Sequence, residues 1–185
     1  FANIWGWADE YGLQWAWEEE LVWIRQIEPE KRLWAPVGPW ESVDWFQRLL
    51  PHLTGDAEMI RVPEALKALF QASLGDRIRI VESRDHWDYL YRIDDLVTLK
   101  GNRFHKKKNL LNQFRKKYDY RFQSMTPEII GMALEMQEEW CLWRDCESFE
   151  TLAAENRAIS RVFKDWQSLH HLIGGALMIE ETPVA

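Results

Sequence analysis

The stretch from Leu99 to Phe114 reads LKGNRFHKKKNLLNQF, and the interpretation of the whole chain starts from it. Apolar residues recur through this stretch and just beyond it at helical spacing: Phe104, Leu111, Phe114 and Tyr118. Residues separated by three, four or seven positions share one face of an α-helix. The pattern therefore predicts an amphipathic helix from Asn102 to about Tyr118.

The same helix concentrates positive charge in an acidic protein. The 185 residues carry a net charge of −7, yet residues 100–122 hold nine basic side chains and one acidic side chain, a local net charge of +8. The rest of the chain has 14 basic and 29 acidic residues. A concentrated basic surface favours a phosphate-bearing partner, such as a nucleotide, a coenzyme, a lipid headgroup or RNA. The alternative interpretation is a solvated helix face that pairs with the acidic remainder.

Length and composition limit the classes of protein to consider. Hydrophobic residues make up 46% and charged residues 29%, which excludes a disordered or collagen-like chain. No apolar run approaches the roughly 20 residues of a membrane-spanning helix, although peripheral membrane contact stays open. Cys141 and Cys146 are interpreted as ordinary thiols, and so few cysteines favour a cytoplasmic, reducing location. The start at Phe1 and the hairpin interrupted at Ala185 predict truncation at both ends.

Predicted strands and helices alternate along the chain. Thr126 and Ser148 are predicted helix N-caps, and Thr182-Pro183 is a predicted hairpin turn. Eight of the 12 Trp residues lie in the first 45 positions, where Trp15 and Trp17 on one strand face favour a core role. Strands are predicted at residues 13–17, 21–27, 31–36, 57–62, 77–83, 89–92, 120–124 and 172–181, and helices at 2–11, after Pro39, and at 63–75, 102–118, 126 onwards and 148–169.

This order predicts an α+β fold (an α/β three-layer arrangement) with a mixed sheet flanked by helices. After the basic helix come a strand, two helices, a strand and a hairpin, which is how acetyltransferase-like folds of the GNAT type begin. Many α/β folds contain the same order, so it does not by itself identify a function.

Two adjoining segments carry a family resemblance. Residues 89–96 read YLYRIDDL, and a Leu-x-Gly turn at Leu99–Gly101 then precedes a Phe-His-Lys-Lys-Lys-Asn core at residues 104–109. In these features the chain resembles the bacterial family named for the C-terminal domain of phosphatidylglycerol lysyltransferase. The opening Phe-Ala-Asn with Trp5 and Trp7 also looks like the start of that family.

The resemblance implies two GNAT-like acyl-CoA N-acyltransferase halves in tandem. In this chain the first half would span residues 1–118, and residues 119–185 would begin the second. The named member moves an aminoacyl group from a charged tRNA to a lipid, so the resemblance implies acyl-CoA or aminoacyl-tRNA as donor and no covalently bound cofactor. However, no Gln/Arg-x-x-Gly-x-Gly/Ala phosphate loop occurs. The donor site is therefore expected beyond this chain, or it is not of the coenzyme A type.

Candidate site residues cluster at the start of the basic helix. His105 is the candidate catalytic base because imidazole titrates near neutral pH, although a surface or structural histidine is the alternative. Six neighbours are predicted to bind substrate or phosphate: Lys100, Arg103, Lys106, Lys107, Lys108 and Asn109. The stem of Lys107 is expected to be buried, because it lies beside the apolar stripe. His170-His171 have no third ligand at a suitable spacing, so no metal site is predicted.

These features predict an acyl- or aminoacyl-transferase. It would move an acyl group from a phosphate-bearing donor, a small molecule or tRNA, to an amine or hydroxyl. The alternative is a non-catalytic module that binds tRNA, other RNA or anions through the same basic surface. A third hypothesis is that the fold serves only as a structural or regulatory scaffold.

Overall fold

The computed structural model describes residues 2–49, 51–52 and 57–185. By contacts, the chain divides into two compact units, one of residues 7–87 and the other of residues 1–6 with 88–185. The helices described are α1 (Ala2–Gly6), α2 (Trp45–Leu49), α3 (Glu64–Leu74), α4 (Ile93–Thr98), α5 (His105–Lys117), α6 (Pro127–Arg144) and α7 (Glu150–Lys164), and the strands are β1 (Gln14–Glu18), β2 (Leu21–Gln26), β3 (Arg32–Val37), β4 (Met59–Ile60), β5 (Tyr120–Ser124), β6 (Gly175–Ile179) and β7 (Thr182–Pro183).

The unit of residues 7–87 is built on a four-stranded sheet in the order β1-β2-β3-β4. The first three strands form the predicted antiparallel meander, and β4 pairs in parallel with β3 over two residues only. Its core joins β2 to α2 and α3 through Leu21, Trp23, Trp45, Leu49, Leu66, Phe70 and Leu74. Leu50, which the sequence assigns to the α2 region, lies outside the described residues.

Tryptophan has two different environments in this unit. Trp23, Trp34 and Trp45 are buried as expected, and Trp34 Nε1 donates a 3.0 Å hydrogen bond to Gln26 Oε1. The core assignment of Trp15 and Trp17 is wrong, because their side chains are 50% and 76% exposed. The reason is that β1 is the edge strand of the sheet, and all five of its residues are exposed.

Two predicted strands are absent from the described residues. Residues 77–83 and 89–92 have no strand pairing, and short 3-10 turns at Gly75–Arg77 and Arg84–His86 flank the first region. The alternation of Ile78 and Ile80 is real in the sequence, yet Ile80 stays 39% exposed. Alternation alone cannot create a strand when no neighbouring strand supplies hydrogen bonds.

The unit of residues 1–6 and 88–185 contains a three-stranded sheet in the order β5-β6-β7. Ile129 of α6 packs on Ala176 and Met178 of β6. Gly175 lies against the Phe122 ring so closely that an added Cβ would be 2.1 Å from Phe122 Cζ. The helix α1 belongs to this unit, where Trp5 Nε1 donates a 2.8 Å hydrogen bond to Asp165 just after α7.

Helix and hairpin ends are partly as predicted. Thr126 is the N-cap of α6, since its hydroxyl accepts a 3.3 Å hydrogen bond from Ile129 N. Ser148 is not a cap, because Phe149 holds the N-cap position of α7 without a side-chain hydrogen bond. The predicted turn at Thr182-Pro183 is instead the strand β7, and Glu180 (φ 55°) makes the reversal.

The two cysteines are joined by a disulfide, so their assignment as thiols is wrong. A continuous helix would place the two cysteines on different faces, but α6 ends at Arg144 and Asp145 takes a left-handed conformation (φ 53°, ψ 50°). This reversal brings the Cα atoms of Cys141 and Cys146 within 5.1 Å of each other.

The predicted α+β class is confirmed by these two sheets and their helices. The GNAT-like assignment and the boundary at residue 118 between two halves stay predictions. In the part of the chain that the structure describes, no helix has the length and apolar character needed to cross a membrane.

Candidate anion-binding site

The basic helix begins three residues later than predicted. Residues Asn102–Phe104 form a 3-10 turn, and α5 starts at His105. Gly101 has φ 91° and ψ 166°, a conformation that residues with a Cβ rarely adopt, and Leu99 is left-handed (φ 46°). This explains the Leu-x-Gly pattern, because the glycine permits the reversal that leads from α4 into α5.

The apolar face of α5 is shallowly packed. Phe104 is buried, while Leu111, Phe114 and Tyr118 are only half-buried. The rings of Phe114 and Tyr120 tilt together with centroids 5.2 Å apart. None of the residues within α5 itself is buried, so the helix lies at the surface of its unit.

All seven predicted site residues are exposed: Lys100, Arg103, His105, Lys106, Lys107, Lys108 and Asn109. The expected burial of the Lys107 stem is therefore wrong. His105 lies on the side of the helix away from Leu111 and Phe114, where its Nδ1 is 3.5 Å from Asn109 Nδ2. The predicted residues are thus all exposed near the start of α5, but Lys106, Lys107 and Lys108 point in directions about 100° apart around the helix.

The cations of this surface differ in their partners. Arg103 NH2 forms a 2.5 Å ion pair with Asp95 Oδ2 of α4, and its guanidinium carbon lies 4.7 Å from the centroid of the Phe104 ring. Lys100, Lys106, Lys107 and Lys108 make no ion pair with any described residue. The interpretation in which the basic residues pair with the acidic remainder is met at Arg103 and at Arg121, which pairs with Glu181, but not at these four lysines within the described residues.

A second basic cluster lies at the other end of α5. Its members are Arg115, Lys116 and Lys117. A hydrogen bond with the Tyr118 side chain raises the pKa of Lys117, which keeps this ammonium charged. Lys107 and Lys116 are nine positions apart, two and a half turns, so they point to opposite sides of α5. Lys106 and Lys117 are separated by about 16.5 Å along the helix axis. Lys106 and Lys117 are eleven residues apart, three turns, so they share one face.

Sequence reasoning missed an exposed aromatic pair just before α4. The rings of Tyr89 and Tyr91 stack with centroids 6.3 Å apart and an angle of 18° between their planes. Tyr89 is 87% and Tyr91 53% exposed. The Tyr-Leu-Tyr spacing is the signal that the sequence offers, and there it predicts a strand at residues 89–92.

Another candidate is a cavity of about 540 Å³ in the unit of residues 7–87. Its polar lining includes Glu18, Glu19, Asp44 and Arg48, none of which the sequence analysis singles out as a site residue. Arg48 forms ion pairs with Glu18 (2.7 Å) and with Glu19. The hydrogen bond that Arg48 donates to Glu19 lowers the pKa of the Glu19 carboxyl. Asp44 Oδ1 accepts hydrogen bonds from the backbone amides of Phe46 and Gln47 in α2. These charges are thus largely satisfied within the protein.

Metal binding has no candidate among the described residues, where no group of three or more His, Cys, Asp or Glu side chains could hold an ion. Fold and surface therefore define an α+β protein with an exposed cationic helix. The chain belongs to the family described as phosphatidylglycerol lysyltransferase, C-terminal, whose model matches residues 1–185. The family resemblance of the sequence is confirmed by this match.

A solved structure is also similar to this chain. It is the crystal structure of a conserved protein of unknown function from Bacteroides thetaiotaomicron VPI-5482, with a TM-score of 0.83 and 28% sequence identity. The similarity covers 99% of this chain and 63% of that chain, so this chain spans less than two thirds of the length of the solved protein. No curated protein matches this chain.

Proposed function

We propose that this chain is part of an aminoacyl-transferase of tandem GNAT-like fold, and that α5 binds the phosphates of its donor. The family supports a transferase, because it is described by a lysyltransferase. The observation that carries the proposal is the row of exposed lysines on α5 without ion pairs among the described residues. Such unpaired cations are available to phosphates, and each phosphate contact releases a counterion.

The two basic clusters favour aminoacyl-tRNA over acyl-coenzyme A as the donor. A pyrophosphate is small and can engage one cluster, whereas a polynucleotide can reach both Lys106 and Lys117 across about 16.5 Å of one helix face. Acyl-coenzyme A remains the second donor to test.

The transfer itself requires a base and a leaving group. The acceptor amine or hydroxyl attacks the ester carbonyl of the aminoacyl-tRNA, the ester C–O bond breaks, and the tRNA ribose hydroxyl leaves with a proton. His105 is proposed to accept the acceptor's proton and to return it to that hydroxyl. Asn109, 3.5 Å from its Nδ1, would orient the ring.

A second candidate function is a non-catalytic RNA- or anion-binding module. The exposure of His105 favours it, because catalytic bases usually act where water is excluded. Under this alternative the basic surface binds RNA without turnover.

The test uses the whole chain and tRNA aminoacylated with a mixture of radiolabelled amino acids. Filter binding should show an affinity that falls steeply with salt. Lys106→Glu/Lys107→Glu should weaken binding at least tenfold, whereas the control Lys31→Glu/Lys164→Glu, with the same change in net charge, should not. His105→Ala should abolish transfer but preserve binding. Wild-type protein that binds neither the tRNA nor acyl-coenzyme A would contradict the proposal.

A further inference from the structure

We infer that the Tyr89–Tyr91 pair is a stacking platform for unpaired bases of an RNA whose phosphates lie on α5. This inference rests on the proposed function and deepens it, since it specifies a single-stranded segment of RNA as the ligand. It assigns a role to two residues outside the basic helix.

The geometry of the pair suits base stacking. The two rings are nearly parallel, at 18°, and their centroids are 6.3 Å apart. The neighbouring side chain of Leu90 is 98% exposed, so this segment has little cover from its own unit. Exposed ring faces attract bases regardless of sequence, because every base has a π-face.

Helix α4 connects the Tyr89–Tyr91 pair to the start of α5 along the chain. Tyr91 lies four residues before Asp95, so their Cα atoms are at most about 14 Å apart. The carboxylate of Asp95 contacts Arg103 at 2.5 Å, next to the start of α5. A single-stranded segment of about 4–16 nucleotides, the usual site size of a small binding module, covers such a distance. Exposed aromatic rings and unpaired lysines within one unit of a protein form a combination typical of single-strand binding.

The alternative occupant is a lipid surface. Leu90, Ile93 and Val97 are 98%, 78% and 77% exposed, and aliphatic side chains near lysines also suit an anionic membrane. Parallel stacking of the two tyrosine rings favours planar bases, since hydrocarbon chains need no such alignment. The experiment therefore includes vesicles.

The experiment measures fluorescence anisotropy of a labelled 12-nucleotide single-stranded RNA, and of the same RNA as a duplex, with the whole chain. We expect Tyr89→Leu/Tyr91→Leu to weaken single-strand binding about tenfold and to leave duplex binding almost unchanged. Tyr89→Phe/Tyr91→Phe keeps the rings and should bind like wild type. The salt dependence of both tyrosine variants should match wild type, because the rings contact no phosphate.

The leucine pair is used because it keeps an apolar surface, and Tyr89→Ala/Tyr91→Ala is a second variant with a thermal melt to verify folding. If the leucine variant or the alanine variant binds single-stranded RNA as tightly as wild type, the stacking platform is overturned and the proposed function of α5 stands. If wild type binds no RNA, both are overturned. Binding to vesicles of phosphatidylglycerol and phosphatidylcholine that exceeds RNA binding would replace RNA with lipid.

Discussion

The carboxylate of Asp95 lies 2.5 Å from the guanidinium of Arg103, across the turn that joins α4 to α5. This ion pair connects the two segments in which the family resemblance lies. It also occupies Arg103, while the neighbouring lysines make no ion pair with the described residues. Because Arg103 is exposed and Asp95 is only half-buried, the contribution of the pair to stability is expected to be less than about 1 kcal/mol.

Asp95→Asn should therefore release Arg103 for anions at little cost in stability. RNA affinity should rise, and the slope of log affinity against log salt should steepen by up to about 0.7 for a single strand. Asp94→Asn is the matched control, since it removes the same charge from an exposed neighbour that pairs with no described residue. Equal effects of the two variants would show that net charge alone matters.

Gly101→Ala should destabilise the chain through its backbone. At φ 91° an alanine is strained, and the expected loss of unfolding free energy is about 1–3 kcal/mol. An added Cβ has no atom within 4 Å, so a steric clash does not contribute. Gly131→Ala, inside α6 and equally open, should instead stabilise by about 0.5–1 kcal/mol. Urea unfolding measures both, and effects of the same sign would contradict the assignment.

Thr126→Ala should cost about 1 kcal/mol of unfolding free energy, because its hydroxyl caps α6. Ser148→Ala tests the position that the sequence wrongly predicts as a cap, and it should be nearly neutral. The comparison needs only thermal or urea unfolding of the two variants. A loss at Ser148 as large as that at Thr126 would restore the sequence-based assignment.

Removal of the disulfide should destabilise the α6–α7 connection. A closed loop of this short length contributes about 2 kcal/mol in the chain-entropy account, so Cys141→Ala/Cys146→Ala should unfold more readily by that amount. Wild type should lose stability in a dithiol reductant, whereas the double variant should not respond. Alkylation of non-reduced protein should find no free thiol, and two reactive thiols would contradict the bond.

The ion pair of Arg48 with Glu19 should give a pH-dependent contribution. Arg48 lowers the pKa of Glu19 below its ordinary 4.5, so the stabilisation is present above pH 4.5 and is lost as the pH falls through the lowered pKa. The melting temperature of wild type should therefore exceed that of Glu19→Gln at pH 7, with the difference vanishing in acid. Glu20→Gln, at an exposed neighbour without an ion pair to a described residue, should show no such pH dependence.

Local patterns predicted the elements that depend on local interactions. The helix α6 begins where Thr126 and Pro127 indicate, and the β1–β3 meander follows its alternating pattern. Residues 77–83 alternate equally well, yet whether a strand forms depends on a partner elsewhere in the chain. Trp17 is exposed for a similar reason, since the edge position of β1 is not a local property.

In the candidate site, too, features that depend on local sequence could be predicted and features that depend on the folded path of the chain could not. Charge counting located Lys106–Lys108, because nine cations in 23 positions need no tertiary information. The disulfide depended on the reversal at Asp145, and the Tyr89–Tyr91 stack depended on an extended path with no partner strand. Neither conformation is encoded in residue spacing alone.

The two basic clusters of α5 have a consequence for ligand choice. A helix is stiff, so the axial separation of about 16.5 Å between Lys106 and Lys117, which share one face of α5, is set before any ligand arrives. A polyanion shorter than this gap neutralises one cluster and leaves the other hydrated. Longer polyanions neutralise both without reorganising the protein. The helix thus discriminates between polyanions by their length. Affinity along a series of polyphosphates should rise abruptly once the polyphosphate is long enough to contact both basic clusters.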